Sequence, residues 1–255
     1  MKRFGFHALL ATSFVLGLAA CKQKDDPAPQ SKFNNVKLEF SNVVDNQALE
    51  LDTRWYVNAA NDSFQVSAYK YYISNIVLKT ADGKSYAEQN SYHLIDQENA
   101  SSRKITLTNV PVGEYTNITF LIGVDSALNT QGAQDGDLSP TKGMLWDWNT
   151  GYIMAKMEGQ ANTSPRTARA FTYHISGFSG EYNALTTRTL TFPTAAIVSG
   201  NNIPNVHIFS NVQEWFRNPQ TFSIANYNMI MNVSDKSKMI ADNYADMFSV
   251  DHIDN

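Results

Sequence analysis

From Val36 onward the sequence runs in short apolar or alternating segments rich in Val, Ile, Thr, Tyr and Phe, with turn residues between them. A period of two is the pattern of a strand with one buried face, and it leaves little of this stretch for helix. Strands are expected over residues 36–40, 64–68, 71–80, 92–95, 104–107, 115–122, 151–158, 170–176, 188–192 and 205–209. Asp82-Gly83 is a hairpin turn signal, and Pro111-Val112-Gly113 and Pro193 punctuate further on. Many short strands at regular spacing imply an all-β fold, an antiparallel β-sandwich of Ig-like or jelly-roll-like kind with long loops. Only the C-terminal part changes period. Met239, Ile240, Tyr244 and Met247 recur at helical spacing after Ser234-Asp235, so one amphipathic helix is expected over 235–247. A short helical turn is expected over 210–215, and the polar stretch 125–142 reads as a long loop.

The sandwich must hold together without disulfides, because Cys21 is the only cysteine. Lys2 and Arg3 precede an apolar run over 8–17 that is too short to span a bilayer, and Leu18-Ala19-Ala20-Cys21 matches the bacterial lipobox. The expectation is a lipoprotein: signal peptide 1–20, and Cys21 as the acylated first residue of the mature chain, carrying a diacylglyceryl thioether and commonly an amide-linked chain such as palmitate. Each buried methylene contributes about 0.8 kcal/mol, so one chain holds weakly and two or more hold firmly. Residues 21–34 read as a charged, proline-containing tether and 35–255 as the folded domain. Gln23-Lys24-Asp25-Asp26 resembles the signal that sends certain lipoproteins to the outer face of the outer membrane; the alternative is a solvated linker.

Charge and motifs exclude more than they select. Losing Lys2 and Arg3 takes the formal charge from −4 to −6, with no basic stripe for nucleic acid. G-x-S-x-G, H-E-x-x-H, P-loop and C-x-x-C signatures are absent, so a non-enzymatic function is expected. Three histidines fall in expected strands. Alternation places His174 opposite Phe171, Tyr173 and Ile175, His93 opposite Tyr92 and Leu94, and His207 opposite Val206 and Ile208. Imidazole suits copper and zinc, and convergence of His93, His174 and His207 would make a metal site; surface or hydrogen-bonded histidines are the alternative. Trp146 and Trp148 stand two apart, either as core aromatics or in a redox role. Asp125, Asn129, Asp135 and Asp137 gather oxygen donors in one loop, either for calcium or as a solvated, structural loop without the EF-hand spacing.

Five segments in order carry a resemblance: Tyr72-Ile73-Ser74-Asn75-Ile76; Gly123-Val124-Asp125; Gly143-Met144-x-Trp146-x-Trp148-x-x-Gly151-Tyr152; Glu158-Gly159; and Tyr173-His174-Ile175-Ser176-Gly177. Over roughly 36–216 the chain resembles the MbnP-like copper-binding family, and residues 243–252 resemble a tail of its lipoprotein branch. The resemblance implies a β-protein with one copper held by imidazoles, often beside a dihaem, cytochrome c peroxidase-like partner that in some members oxidises a tryptophan to kynurenine. It points first to His174, then to His93 in His93-Leu94-Ile95-Asp96, with Trp146 or Trp148 as the modified residue. Methanotroph-type members carry cysteines after the His-x-x-Gly pattern, and this chain has none there. A second function stands beside copper handling: a non-metal interaction module accessory to an outer-membrane, TonB-dependent transporter, suggested by expected exposed aromatics at Trp55 and Trp215.

Overall fold

The computed structural model describes residues 31–146 and 151–255, together with Met1. The lipobox with Cys21, the tether to residue 30, and Trp148 lie outside the described residues. Residues Ser31–Asn255 form one compact unit. Among the described residues no helix is long and apolar enough to cross a membrane. In chain order the strands are β1 (Phe33–Val44), β2 (Gln47–Ala48), β3 (Tyr56–Val57), β4 (Ser63–Thr80), β5 (Ser85–Ala87), β6 (Tyr92–Asp96) and β7 (Lys104–Pro111). They continue as β8 (Gly113–Ile122), β9 (Ala155–Ala161), β10 (Ala170–Ile175), β11 (Thr186–Val198), β12 (Asn205–Asn211), β13 (Met229–Ile230) and β14 (Phe248–Asp254). Two α-helices occur among the described residues, α1 (Ser126–Asn129) and α2 (Asp235–Tyr244).

The fold is an all-β sandwich with a C-terminal helix. One sheet runs β14-β12-β1, with β7 and β2 on the far edge of β1; the other runs β11-β8-β4-β9-β10-β13, with β3, β5 and β6 also on β4. Two pairings are parallel, β1 with β12 and β10 with β13, so the sheets are mixed rather than antiparallel throughout. A parallel pair needs a crossover connection, and almost the whole second sheet is built between β1 and β12. The stretches 64–68 and 71–80 are a single strand, β4. One edge of β4 takes β9 along its first part and β8 along its second, with register shifts inside both pairings.

Alternation explains the core. Val36, Leu38 and Phe40 of β1 and Val206 and Ile208 of β12 point inward to meet Tyr69, Tyr71, Phe120, Phe171 and Tyr173 of the second sheet. Phe40 lies edge-on to Tyr71, Phe120 and Phe248, with centroids 6.1–6.5 Å apart. A second apolar cluster, including Tyr72, Leu94, Met144, Trp146, Tyr152 and Ile153, covers the outer face of the second sheet. That sheet is therefore buried on both faces around Tyr71-Tyr72-Ile73-Ser74.

The helix ends earlier than 247. Ser234 caps it through Ser237 N–H, and it stops at Tyr244, because the Met247 carbonyl already accepts from Asn211 N–H at 2.8 Å as the chain turns into β14. The short helical turn falls at Val212–Phe216. Trp215, expected to be exposed, is fully buried. Its indole N–H donates to Tyr69 Oη at 3.2 Å and its ring packs on Tyr244, 5.1 Å between centroids, so it belongs to the seat of α2. Trp55 is exposed.

Candidate metal centre

The long loop over 125–142 is pinned to the sheet by its own polar groups. Asp125 caps α1 by accepting from Leu128 N–H, and it also accepts from Tyr92 Oη at 2.5 Å and Asn75 Nδ2 at 3.3 Å. Asn129 Oδ1 accepts from Tyr152 N–H at 2.7 Å. Asp137 Oδ2 accepts from Leu94 N–H at 3.1 Å, and its carbonyl accepts from Tyr72 Oη at 3.0 Å. Asp135 stands at a turn without a side-chain capping bond. Among the described residues, Asp125, Asp135 and Asp137 do not form a group of close ligand atoms. Asp125, Asn129 and Asp137 thus tie the loop to the sheet as a cover, each through an oxygen that accepts from a backbone, amide or phenol donor.

Under this cover, β10 presents His174. Phe171, Tyr173 and Ile175 enter the sandwich core, so alternation turns His174 to the outer face. There Trp146 closes over it, with ring centroids 5.7 Å apart and planes tilted 47°. Gly177 ends the strand: its φ is +122°, and a Cβ would meet the Tyr182 carbonyl at 2.3 Å. His174 Nε2 lies 2.6 Å from Glu158 Oε1 on β9. That hydrogen bond is the largest influence holding the Glu158 carboxyl below its ordinary range; burial opposes it, and Lys156 assists. In the neutral imidazole this contact puts the proton on Nε2 and leaves the lone pair on Nδ1. Nδ1 is buried and has no hydrogen-bond partner. His174 lines a cleft of about 280 Å³ with Trp146, Leu145, Lys156 and Met231.

The other two expected ligands lie elsewhere. His93 pairs with Ile73, a core-facing residue of β4, and its Nε2 contacts Glu88 Oε2 at 2.8 Å. His174 faces the other side of the same sheet, three strand spacings away across β6, β4, β9 and β10. At about 4.8 Å per spacing that is roughly 14 Å before any offset along the strands. His207 projects from the outward face of the first sheet, between buried Val206 and Ile208. The three histidines therefore do not converge. Period-two alternation gives each its face correctly, but it carries no information on which strands become neighbours.

His252, which the strand reading passed over, does find a partner. Its ring stacks on His207 at 4.1 Å with planes 14° apart, beside Asp254. The residues 248–254 alternate weakly, Phe-Ser-Val-Asp-His-Ile-Asp, and a period-two count over them is the signal that would have found β14.

Comparison with known proteins adds the lineage. A family model described as MbnP matches residues 33–233. Among solved structures, MbnP from Methylosinus trichosporium superposes with a TM-score of 0.54 at 13% identity, over 81% of this chain and 84% of that one. At that identity the likeness speaks for the fold. No curated protein sequence matches the chain.

Proposed function

Because the chain belongs to the MbnP family, we propose that it handles copper outside the cytoplasm, with Cu(I) as the cargo of the Trp146–His174 cleft. One observation carries this reading: His174 Nδ1 is buried and without a hydrogen-bond partner, while Nε2 is fixed by Glu158. A carboxylate on the far nitrogen orients a ligating imidazole and raises its basicity. A buried ring nitrogen without a partner is costly unless something else takes its lone pair. The Met231 thioether on the cleft wall is a soft donor, which suits Cu(I) over harder ions. His93, on the opposite face, takes no part.

The same reading makes the protein a carrier rather than an enzyme, anchored through Cys21 at the outer membrane and facing out of the cell. Trp146, against the ligand ring, is then the tryptophan placed for oxidation by a dihaem, peroxidase-like partner. Mass spectrometry of the Trp146 peptide from native cells tests that step, with a shift of a few daltons expected for kynurenine.

The deciding experiment is a Cu(I) titration of tag-free protein against a chromophoric chelator. Uptake that survives in His93→Ala and is lost in His174→Ala supports the proposal. Equal uptake by wild type and His174→Ala, or none by either, overturns it. The second outcome would favour an interaction module instead, for which the separation of the three histidines and the exposed Trp55 and Val57 are the motivating observations.

A further inference from the structure

On the opposite sheet, away from the cleft, β12 and β14 pair antiparallel with a register shift between Val206 and Ile208, where Val206 faces Ile253 and Ile208 faces Val250. His207 therefore stands across from two residues, Asp251 and His252. A bulge of this kind re-aims side chains, and here it lays the His252 ring on the His207 ring. Asp254, two residues on, returns to the same face. One ligand atom from each of His207, His252 and Asp254 lies within 4.8 Å of the other two. His207 Nε2 is 3.1 Å and His252 Nε2 3.8 Å from Asp254 Oδ2.

We propose that His207, His252 and Asp254 form a metal site for a borderline divalent ion of the Zn²⁺ or Cu²⁺ kind, and that the ion clamps strand β14 to β12. Two hydrogen-bonding arrangements support it. His252 Nδ1 lies 2.8 Å from Asp251 Oδ2, so the far nitrogen holds its proton against a carboxylate and Nε2 is left with the lone pair. This is the outer-shell arrangement typical of a ligating histidine. His207 Nε2 lies 2.8 Å from Asn205 Nδ2 and 3.1 Å from Asp254 Oδ2. With Nε2 accepting from the Asn205 amide, its lone pair faces the Asp254 carboxylate; a cation between those two relieves their repulsion, and the amide keeps its contact with Glu39 Oε2 at 3.4 Å.

The ligand atoms stand within 4.8 Å of one another, and the two rings must turn out of their stack so that their in-plane lone pairs meet on one ion. Ligand atoms at about 2.0–2.1 Å from a tetrahedral ion stand about 3.3 Å apart. The side chains that must close are accessible, with His252 half exposed and Asp254 more so. Two imidazoles and one carboxylate oxygen, with no sulfur, select borderline dications rather than Cu(I). His252 and Asp254 lie beyond residues 33–233, so the site is not a property of the span the family model matches. It stands independently of the cleft.

The test is equilibrium dialysis of the full chain, prepared without an affinity tag, against Zn²⁺ and separately Cu²⁺. Wild type and His174→Ala should each bind one dication that the His207→Ala/His252→Ala double variant lacks. Asp254→Asn should bind more than about tenfold more weakly. Added Zn²⁺ should slow amide exchange across β14 in wild type and leave it unchanged in the double variant, whose metal-free circular dichroism and cooperative melting, matching wild type, show that it folds. Equal dication uptake by wild type and the double variant overturns the site. Uptake without β14 protection overturns the clamp.

Discussion

The Glu158–His174 pair gives the sharpest test of how the cleft works, through Glu158→Gln. Glutamine keeps a carbonyl oxygen that accepts from Nε2–H, so the ring stays in place and Nδ1 keeps its lone pair. Only the charge behind the ring is lost. Removing such an outer partner typically costs about 10–100-fold in metal affinity, or roughly 1.4–2.7 kcal/mol. Two features place this case in the lower half of that range. Lys156 Nζ sits 3.5 Å from the same carboxylate oxygen and offsets part of its charge, and the Glu158 side chain is about one-third exposed. The expected loss of Cu(I) affinity is therefore about 10–30-fold, read by competition against a chelator near neutral pH. Glu158→Ala should lose more, since it also frees the tautomer. A Glu158→Gln affinity within twofold of wild type, with His174→Ala still inactive, would refute the argument that the carboxylate charge tunes the ligand.

Two further predictions concern the frame that holds the cleft. Asp62 is buried and accepts from Thr163 Oγ1, Ser223 Oγ, Asn58 Nδ2 and Ile224 N–H. Asp62→Ala strands the two buried nitrogen donors at about 1–3 kcal/mol each, so a fall of roughly 2–6 kcal/mol in unfolding free energy is expected, read as a lower denaturant midpoint at constant m-value, and under about 1 kcal/mol would count against it. Burial pushes the Asp62 carboxyl up, but those four hydrogen bonds outweigh it and hold it below the ordinary 3.8. Its contribution is thus full above that value and lost as pH falls through the lowered one, so wild type should weaken below pH 4 more steeply than Asp62→Asn. Gly159→Ala should prevent soluble folding, because the new Cβ would sit 2.0 Å from the Gln65 carbonyl on paired β4 and 2.9 Å from the Phe171 ring; the backbone cannot yield as a side chain would. A soluble Gly159→Ala protein with an unchanged melting temperature would contradict that account.

Local pattern made the strands and their faces legible, and left their neighbours hidden. Phe171, Tyr173 and Ile175 against His174 follow from alternation alone, as does the outward His207. The helix start at Ser234-Asp235 was equally readable, since a capping serine is a local signal. Pairing is a long-range property. Nothing in residues 92–96 says that His93 pairs with core-facing Ile73, and nothing near 207 says that β12 will lie parallel to β1 and antiparallel to β14. The edge strands β2, β3, β5 and β13 were missed for a different reason: each is two or three residues long, too short to show a period. Trp215 is expected to be exposed, yet its N–H finds Tyr69 Oη and α2 covers its ring, a tertiary packing that local composition does not record.

The two imidazole sites differ in the way the sandwich dictates. The second sheet is covered on its outer face by the loop of residues 124–146, so a histidine there is largely buried, in a cleft beside a tryptophan ring and Met231. The first sheet leaves its outer face open, so histidines there meet only what strand pairing brings beside them, another imidazole and a carboxylate. Of the three rings proposed to bind, one in each site has its far nitrogen fixed by an acidic residue, His174 by Glu158 and His252 by Asp251, so ring orientation does not distinguish the sites. Enclosure and donor softness do: the covered face suits Cu(I), and the open face suits a dication exchanging with solvent. It follows that the two affinities should respond to different substitutions, and a change at Trp146 or Met231 should leave dication uptake at β14 untouched.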